Sequence, residues 1–240
     1  MRKRSSFFIF FVIFLSAVAV CHAGLFDNII KGITGGSQAK TDVNTIISGL
    51  KEAFSIGTQK AIENVSQRDG YFSSEIIKII MPEKIRNVSD ALSKVGFQKQ
   101  VDDFILSMNR AAEKAAPKAT GFFVDAIKEM SFEDAESILK GADTEATDYF
   151  REKTSNKIYD AFKPVISESM DAVGVTHNYK EMMKKYESIP FMPKESLDLD
   201  HYVTNEALEG LFFMVGQEEI KIRTDPAART TDLLKTVFAK

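Results

Sequence analysis

Asn109, Arg110 and Glu113 have the residue types and spacing to bind a charged ligand. Asn109 and Glu113 lie one helical turn apart at the edge of an apolar face, so their side chains can reach the same neighbour. They could bind a polar headgroup, or act as acid and base with Asp134 or Asp148. Alternatively, they satisfy a buried polar contact between helices, as most such residues do. We favour this structural interpretation, because no nucleophile or set of metal ligands accompanies them.

Arg223 and Arg229 form a second candidate site, because they flank a predicted helix start at Asp225-Pro226. Free backbone amides at a helix start and two guanidinium groups can bind phosphate or carboxylate. No glycine-rich phosphate loop is present, which weakens this interpretation. In the alternative, the arginines lock the last two helices together by pairing with acidic residues such as Glu218, Glu219 or Asp232.

The remaining residues with catalytic or metal-binding chemistry are sparse. His177 and His201 fit neither of the usual zinc-binding spacings, so we predict no metal site. The sequence has no nucleophile elbow, phosphate-binding loop or dinucleotide fingerprint, and we predict no catalytic residue and no cofactor. With 31 basic and 34 acidic residues, the net charge of −3 also disfavours binding to nucleic acid.

The first 23 residues have the pattern of a cleavable secretory signal peptide. Three basic residues precede an apolar run over residues 7–20, which is too short to span a bilayer, and small residues precede Gly24. Cleavage before Gly24 removes Cys21, the only cysteine. Lipidation of Cys21 is disfavoured, because Val20 stands where lipoprotein signals have a small residue. We therefore expect an exported, periplasmic protein.

Residues 24–40 are predicted to form a short amphipathic arm followed by a flexible joint. The arm could make peripheral contact with a membrane or dock on its own domain, and its length favours docking or fraying. Its apolar stripe consists of Leu25, Phe26, Ile29, Ile30 and Ile33.

Residues 41–240 have the apolar spacing of helices almost throughout, which predicts an all-α fold. We expect a compact single-domain bundle of about eight to ten helices. Ser131 and Gly141 mark the start and end of one helix, and Asp143 caps the next, which reaches Pro164 and has a continuation to Gly174. Further helices cover about residues 178–187, the segment after Asp200, and the segment that Asp225-Pro226 opens.

Several short blocks of sequence together form a specific pattern. They are residues 49–53 (GLKEA), 108–113 (MNRAAE), 132–135 (FEDA) with 138–141 (ILKG), 146–150 (ATDYF) and 222–234 (IRTDPAARTTDLL). In this order they resemble the bacterial exported family called domain of unknown function 4197 (DUF4197), from about Thr45 to Phe238. The resemblance implies an all-helical envelope protein of a Gram-negative bacterium without an assigned reaction, cofactor or partner.

Two functional hypotheses follow, and an enzyme ranks third. The first is a non-catalytic module that contacts another envelope protein or the membrane surface, with a filled core. The second is a carrier that holds an apolar or lipid-like ligand in a cavity between helices, with Arg223 and Arg229 at its headgroup. The carrier's apolar lining would be Phe122, Phe123, Phe212, Phe213 and Met214.

Overall fold

A computed structural model of the protein describes residues 36–94, 96–172, 179–180, 183–184 and 198–238. Within these residues the regular structure is helical and no strand occurs, so the predicted all-α class is confirmed. The predicted signal peptide and arm and His177 lie outside the described residues, as does most of the helix expected over 178–187. The chain divides into two contact units, Met1–Val43 with Lys240 and Asn44–Ala239; of the first, only helical residues 36–43 are described.

Eight α-helices lie within the described residues, and seven of them have nine or more residues. Helix α8 has only six residues, so the number of full helices is lower than the predicted eight to ten. In chain order they are α1 (Gly36–Ser66), α2 (Glu83–Lys94), α3 (Gln98–Ala115), α4 (Thr120–Glu129), α5 (Phe132–Lys140), α6 (Glu145–Ala172), α7 (Leu199–Thr224) and α8 (Asp232–Val237), with 3-10 turns at Ala116–Ala119 and Pro226–Ala228.

Pro164 explains part of this difference, because it lies inside α6 and does not interrupt it. A proline removes one helical hydrogen bond, here the one that the carbonyl of Asp160 would accept. Both residues are exposed, so water can satisfy that carbonyl. On the opposite face, Phe162 and Ile166 are fully buried, and their burial keeps the helix continuous.

The predicted last helix also begins later than expected. Asp225 does cap a proline-containing turn, since its carboxylate accepts from the amide of Ala227 at 2.9 Å. That turn ends at Arg229, whose backbone angles leave the helical region, so it is a single 3-10 turn. Helix α8 begins three residues further on, where the Thr231 hydroxyl accepts from the amide of Leu234.

Helix α6 packs mainly against α7 and α3. The aromatic centre of the core is formed by rings from α1, α4, α6 and α7. Phe123 of α4 makes edge-to-face contacts with Phe150 and Phe212, at centroid distances of 5.6 Å and 5.9 Å. Phe54 of α1 contacts the same Phe150 ring at 5.7 Å. Edge-to-face geometry fills the space between helices and adds a favourable electrostatic contribution.

The chain between α1 and α2, residues 67–82, crosses the bundle without forming a helix. We call it the connecting segment. It opens with a turn, in which Asp69 has a φ of 70° and the amide of Gly70 donates to the carbonyl of Gln67. Further on, Ile77, Ile79 and Met81 are buried, while Ile76 and Ile80 are exposed. This alternation is that of an extended chain lying on an apolar surface.

Candidate functional site

The side-chain amide of Asn109 forms three hydrogen bonds with backbone groups. Two of these hydrogen bonds are to the connecting segment. The side chain is fully buried; its carbonyl accepts from the amide of Ile79 at 2.9 Å, and its amide donates to the carbonyls of Ile79 and Ile105, each at 2.8 Å. A primary amide can make such a paired contact with an extended residue, as a neighbouring strand would. Asn109 therefore has a structural contact in the place where a ligand contact was considered.

Glu113 and Arg110 hold the other end of the connecting segment. One oxygen of the buried Glu113 carboxylate accepts from the amides of Tyr71 and Phe72, and the other accepts from Arg110 at 2.6 Å. Arg110 also pairs with Asp69 at 2.6 Å. The pKa of Arg110 is raised, and the hydrogen bond to Glu113 is the largest cause. The Tyr71 hydroxyl donates to the carbonyl of Ala207, and burial, then the Glu113 charge, raise its pKa.

Arg223 belongs to a second buried cluster, centred on Glu219 of α7. The Glu219 carboxylate accepts from the amides of Ala146 and Thr147 at 3.0 and 2.8 Å, and from the Thr147 hydroxyl. Glu219 thus caps the start of α6 from a distant part of the chain, whereas Asp143, the predicted cap, is exposed. Arg223 pairs with Glu219 at 2.8 Å and donates to the carbonyl of Ile138, so it joins α5, α6 and α7.

Arg229 closes the carboxyl end of α7. Its guanidinium donates to the carbonyls of Ile222 and Arg223 at 3.0 and 2.9 Å, and only 8% of the residue is exposed. These carbonyls lie in the last turn of α7, which has no further helical amides to bind. Both arginines proposed for an anion therefore bind protein groups, and the cluster shares no residue with the one around Asn109.

An open cleft lies between the connecting segment, α6 and α7, apart from these two clusters. Its volume is about 290 Å³. Ile76 and Phe213 stand at its edge with 71% and 36% of their surface exposed. The lining residues are Ile76, Ile77, Lys78, Arg151, Glu206, Glu209, Gly210 and Phe213. We call this feature the α6–α7 cleft.

The α6–α7 cleft has two charges of each sign in its lining. Arg151 pairs with Glu209 at 2.6 Å and lies 4.7 Å from the centroid of the Phe212 ring. The Lys78 ammonium lies 4.1 Å from the centroid of the Phe72 ring, a cation–π contact. Burial, and then the charge of Glu209, raise the pKa of Glu206.

Of the cleft residues, only Phe213 is a residue predicted from the sequence, as part of a carrier lining. The others lie in three separate parts of the chain, at 76–78, 151 and 206–210. One local signal was available: Ile76 is apolar but falls on the outer side of an alternating segment whose inner side is Ile77, Ile79 and Met81. Nothing local connects Ile76 with Glu206, because the cleft that both residues line depends on how α7 packs.

Both clusters and the cleft lie within the part of the chain that matches a known protein family. Residues 40–239 match the family described as protein of unknown function, DUF4197. The chain belongs to this family. The predicted resemblance is thereby confirmed at the level of the family, while its bacterial and exported character stays a prediction. No curated protein and no solved structure matches the chain.

Two classes of site receive no support from the described part of the chain. Among its residues, no three histidine, cysteine or acidic side chains are grouped so that they could hold a metal ion. None of its helices is long and apolar enough to cross a membrane.

Proposed function

We propose that this DUF4197 protein is a non-catalytic binding module of a bacterial cell envelope, and that it binds its partner at the α6–α7 cleft. The observation that supports the proposal is an open cleft with Ile76 and Phe213 exposed at its edge. Apolar side chains exposed together in the lining of a concave site are typical of a binding surface. By contrast, Asn109, Glu113 and Arg229 are engaged in holding the fold together.

The packing of the aromatic residues favours the module over the alternative carrier of an apolar or lipid-like ligand. Phe123 and Phe212 are 1% and 0% exposed and contact one another, so they fill the space that a ligand between the helices would need. Phe213 faces the cleft, and Phe122 and Met214 are only half-buried. Within this proposal, the carrier would have to bind its ligand at the surface.

Envelope localisation is the second part of the proposal, and the pattern of residues 1–23 supports it. The module would act in the periplasm of a Gram-negative bacterium after cleavage before Gly24. Its partner there would be an envelope protein, and the stripe around Phe26 and Ile30 would be available for peripheral membrane contact.

Site-specific photo-crosslinking in the producing cells tests both parts. A benzophenone amino acid replaces Phe213, and the matched control carries it at Phe132, which is 43% exposed on α5. We expect a discrete protein adduct from position 213 and none from position 132. We also expect an intact mass equal to that of a chain that begins at Gly24. A lipid-sized adduct from position 213 supports the carrier. Equal adducts from both positions contradict the cleft, and a chain that retains Met1 contradicts export.

A further inference from the structure

Glu206 is the one acidic residue of the α6–α7 cleft that has no hydrogen bond or ion pair in the described part of the chain. Arg151 and Glu209 neutralise each other, and Lys78 lies over the Phe72 ring. Glu206 has neither a hydrogen bond nor an ion pair with any described residue. The residue is exposed in the lining of the open cleft, and partial desolvation there, followed by the charge of the nearby Glu209 carboxylate, raises its pKa. A carboxylate in this position gains from binding a cation.

The size and the apolar edge of the cleft limit what can carry that cation. A volume of about 290 Å³ accommodates one or two side chains. A globular partner would need a much larger contact surface, since it commonly buries about 800 Å² of its own surface at an interface. The exposed side chains of Ile76 and Phe213 offer apolar contact next to Glu206 in the same lining. An occupant with a cation beside aliphatic groups matches both surfaces.

We propose that the α6–α7 cleft binds a short peptide segment of a protein partner, in which a lysine or arginine is flanked by aliphatic residues. The cation pairs with Glu206, and the aliphatic side chains pack against Ile76 and Phe213. This inference rests on the proposed function and adds the chemistry of the partner. The excess of acidic over basic residues in the whole chain favours the same sign of partner.

Peptide binding to the purified protein tests the assignment by fluorescence anisotropy. The probe is a labelled, end-capped peptide, Gly-Ser-Leu-Lys-Leu-Ser-Gly, and two matched peptides carry norleucine or glutamate in place of lysine. We expect the lysine peptide to bind at least about tenfold more tightly than either, since a charge-assisted hydrogen bond is lost in both. Equal binding of the three peptides, or no binding of the lysine peptide, overturns the inference.

Variants assign the contact to individual residues. Glu206→Gln should weaken the lysine peptide by about five- to tenfold, whereas Glu168→Gln, at an exposed position of α6, should change it by less than about twofold. Phe213→Ser should weaken it, and Phe132→Ser should not. Glu206→Lys should reverse the preference towards the glutamate peptide. An unchanged preference in Glu206→Lys contradicts the pairing.

Two further results separate this inference from the proposed function. Hexylamine carries the same cation and an aliphatic chain without a peptide, so displacement by hexylamine at the peptide's own concentration would overturn the peptide assignment. A protein adduct at position 213 together with no binding of the lysine peptide would refute the basic, aliphatic partner and leave the binding module intact. Absence of both would refute the module as well.

Discussion

Asn109 illustrates how much of this fold depends on single polar side chains. It is fully buried, and it pairs with both backbone groups of Ile79, a residue 30 positions away. Backbone groups inside a protein must be hydrogen-bonded, and an extended segment without a neighbouring strand has few partners for them. Asn109 supplies those partners and thereby fixes the position of the connecting segment, which lines the cleft.

Replacing Asn109 should therefore destabilise the protein strongly. Asn109→Leu keeps the size of the side chain but leaves the amide and carbonyl of Ile79 without partners, at an expected cost of about 2–4 kcal/mol in the free energy of unfolding. Urea denaturation measures this cost, and hydrogen exchange should show faster exchange of the Ile79 amide. Asn156→Leu, at an exposed position of α6, should change stability by less than about 0.5 kcal/mol. Similar effects of both substitutions would contradict the structural role of Asn109.

Helix α5 shows what a local signal can determine at the scale of one element. The Ser131 hydroxyl accepts from the amide of Asp134 at 3.1 Å, and the Asp134 carboxylate accepts from the amide of Ser131 at 2.9 Å. This reciprocal capping box confirms the predicted helix start. The hydrogen bond from the Ser131 amide is the main cause of the lowered pKa of Asp134. Such a helix start can be recognised from sequence because all its partners lie within one turn.

The lowered pKa of Asp134 predicts that the cap weakens in acid. The folded state stabilises the ionised form of the Asp134 side chain more than the unfolded state does. The contribution of this carboxylate to stability is therefore fully present above the unfolded pKa of about 3.9 and is lost as pH falls through the lower folded pKa. Asp134→Asn should cost about 0.3–1 kcal/mol near neutral pH, the usual contribution of a carboxylate in the first turn of a helix. Urea denaturation should show that the difference from the wild type shrinks towards about pH 2.

A suitable control for this prediction is Asp90→Asn, an exposed acid on α2 outside any capping box. It removes the same charge without removing a helix cap. A difference between wild type and Asp134→Asn that is equally large in acid and at neutral pH would contradict the role of the carboxylate in the cap.

At the scale of the whole molecule, one continuous apolar core joins the helices of the larger unit, Asn44–Ala239. Helices α4, α6 and α7 meet at Phe123, Phe150 and Phe212, each of which is at most 1% exposed. α1 reaches the same place through Phe54, which contacts the Phe150 ring. Four helices therefore share this aromatic centre, and the loss of one ring should be felt by the whole unit.

Neighbouring phenylalanines on α4 allow a direct test. Phe123→Ala should reduce the free energy of unfolding by about 3–5 kcal/mol, because it leaves a cavity between three helices. Phe122→Ala removes a half-buried ring from the same helix and should cost clearly less. Urea denaturation followed by far-UV circular dichroism measures both. Equal costs would indicate that the aromatic centre does not support the core.

Long-range contacts explain why parts of the fold and the site escaped prediction. The cap that Glu219 gives to α6 comes from about seventy residues away, with Thr147 and Glu219 separated by 72 positions. The expected local cap, Asp143, was the better guess from sequence alone, since most caps lie next to their helix. The continuity of α6 through Pro164 likewise depends on the burial of Phe162 and Ile166 against other helices.

By itself, the amino-acid sequence determined the all-α class, the family, the start of α5 and the absence of familiar catalytic motifs. These properties depend on spacings of three or four residues and on short motifs, which are visible along the chain. Only the tertiary structure decided that Asn109, Glu113, Arg223 and Arg229 bind protein groups, and that Ile76, Glu206 and Phe213 share a cleft. The physical reason is that hydrogen-bond partners and neighbours across a cleft are set by how helices pack, and residues far apart in sequence meet only there.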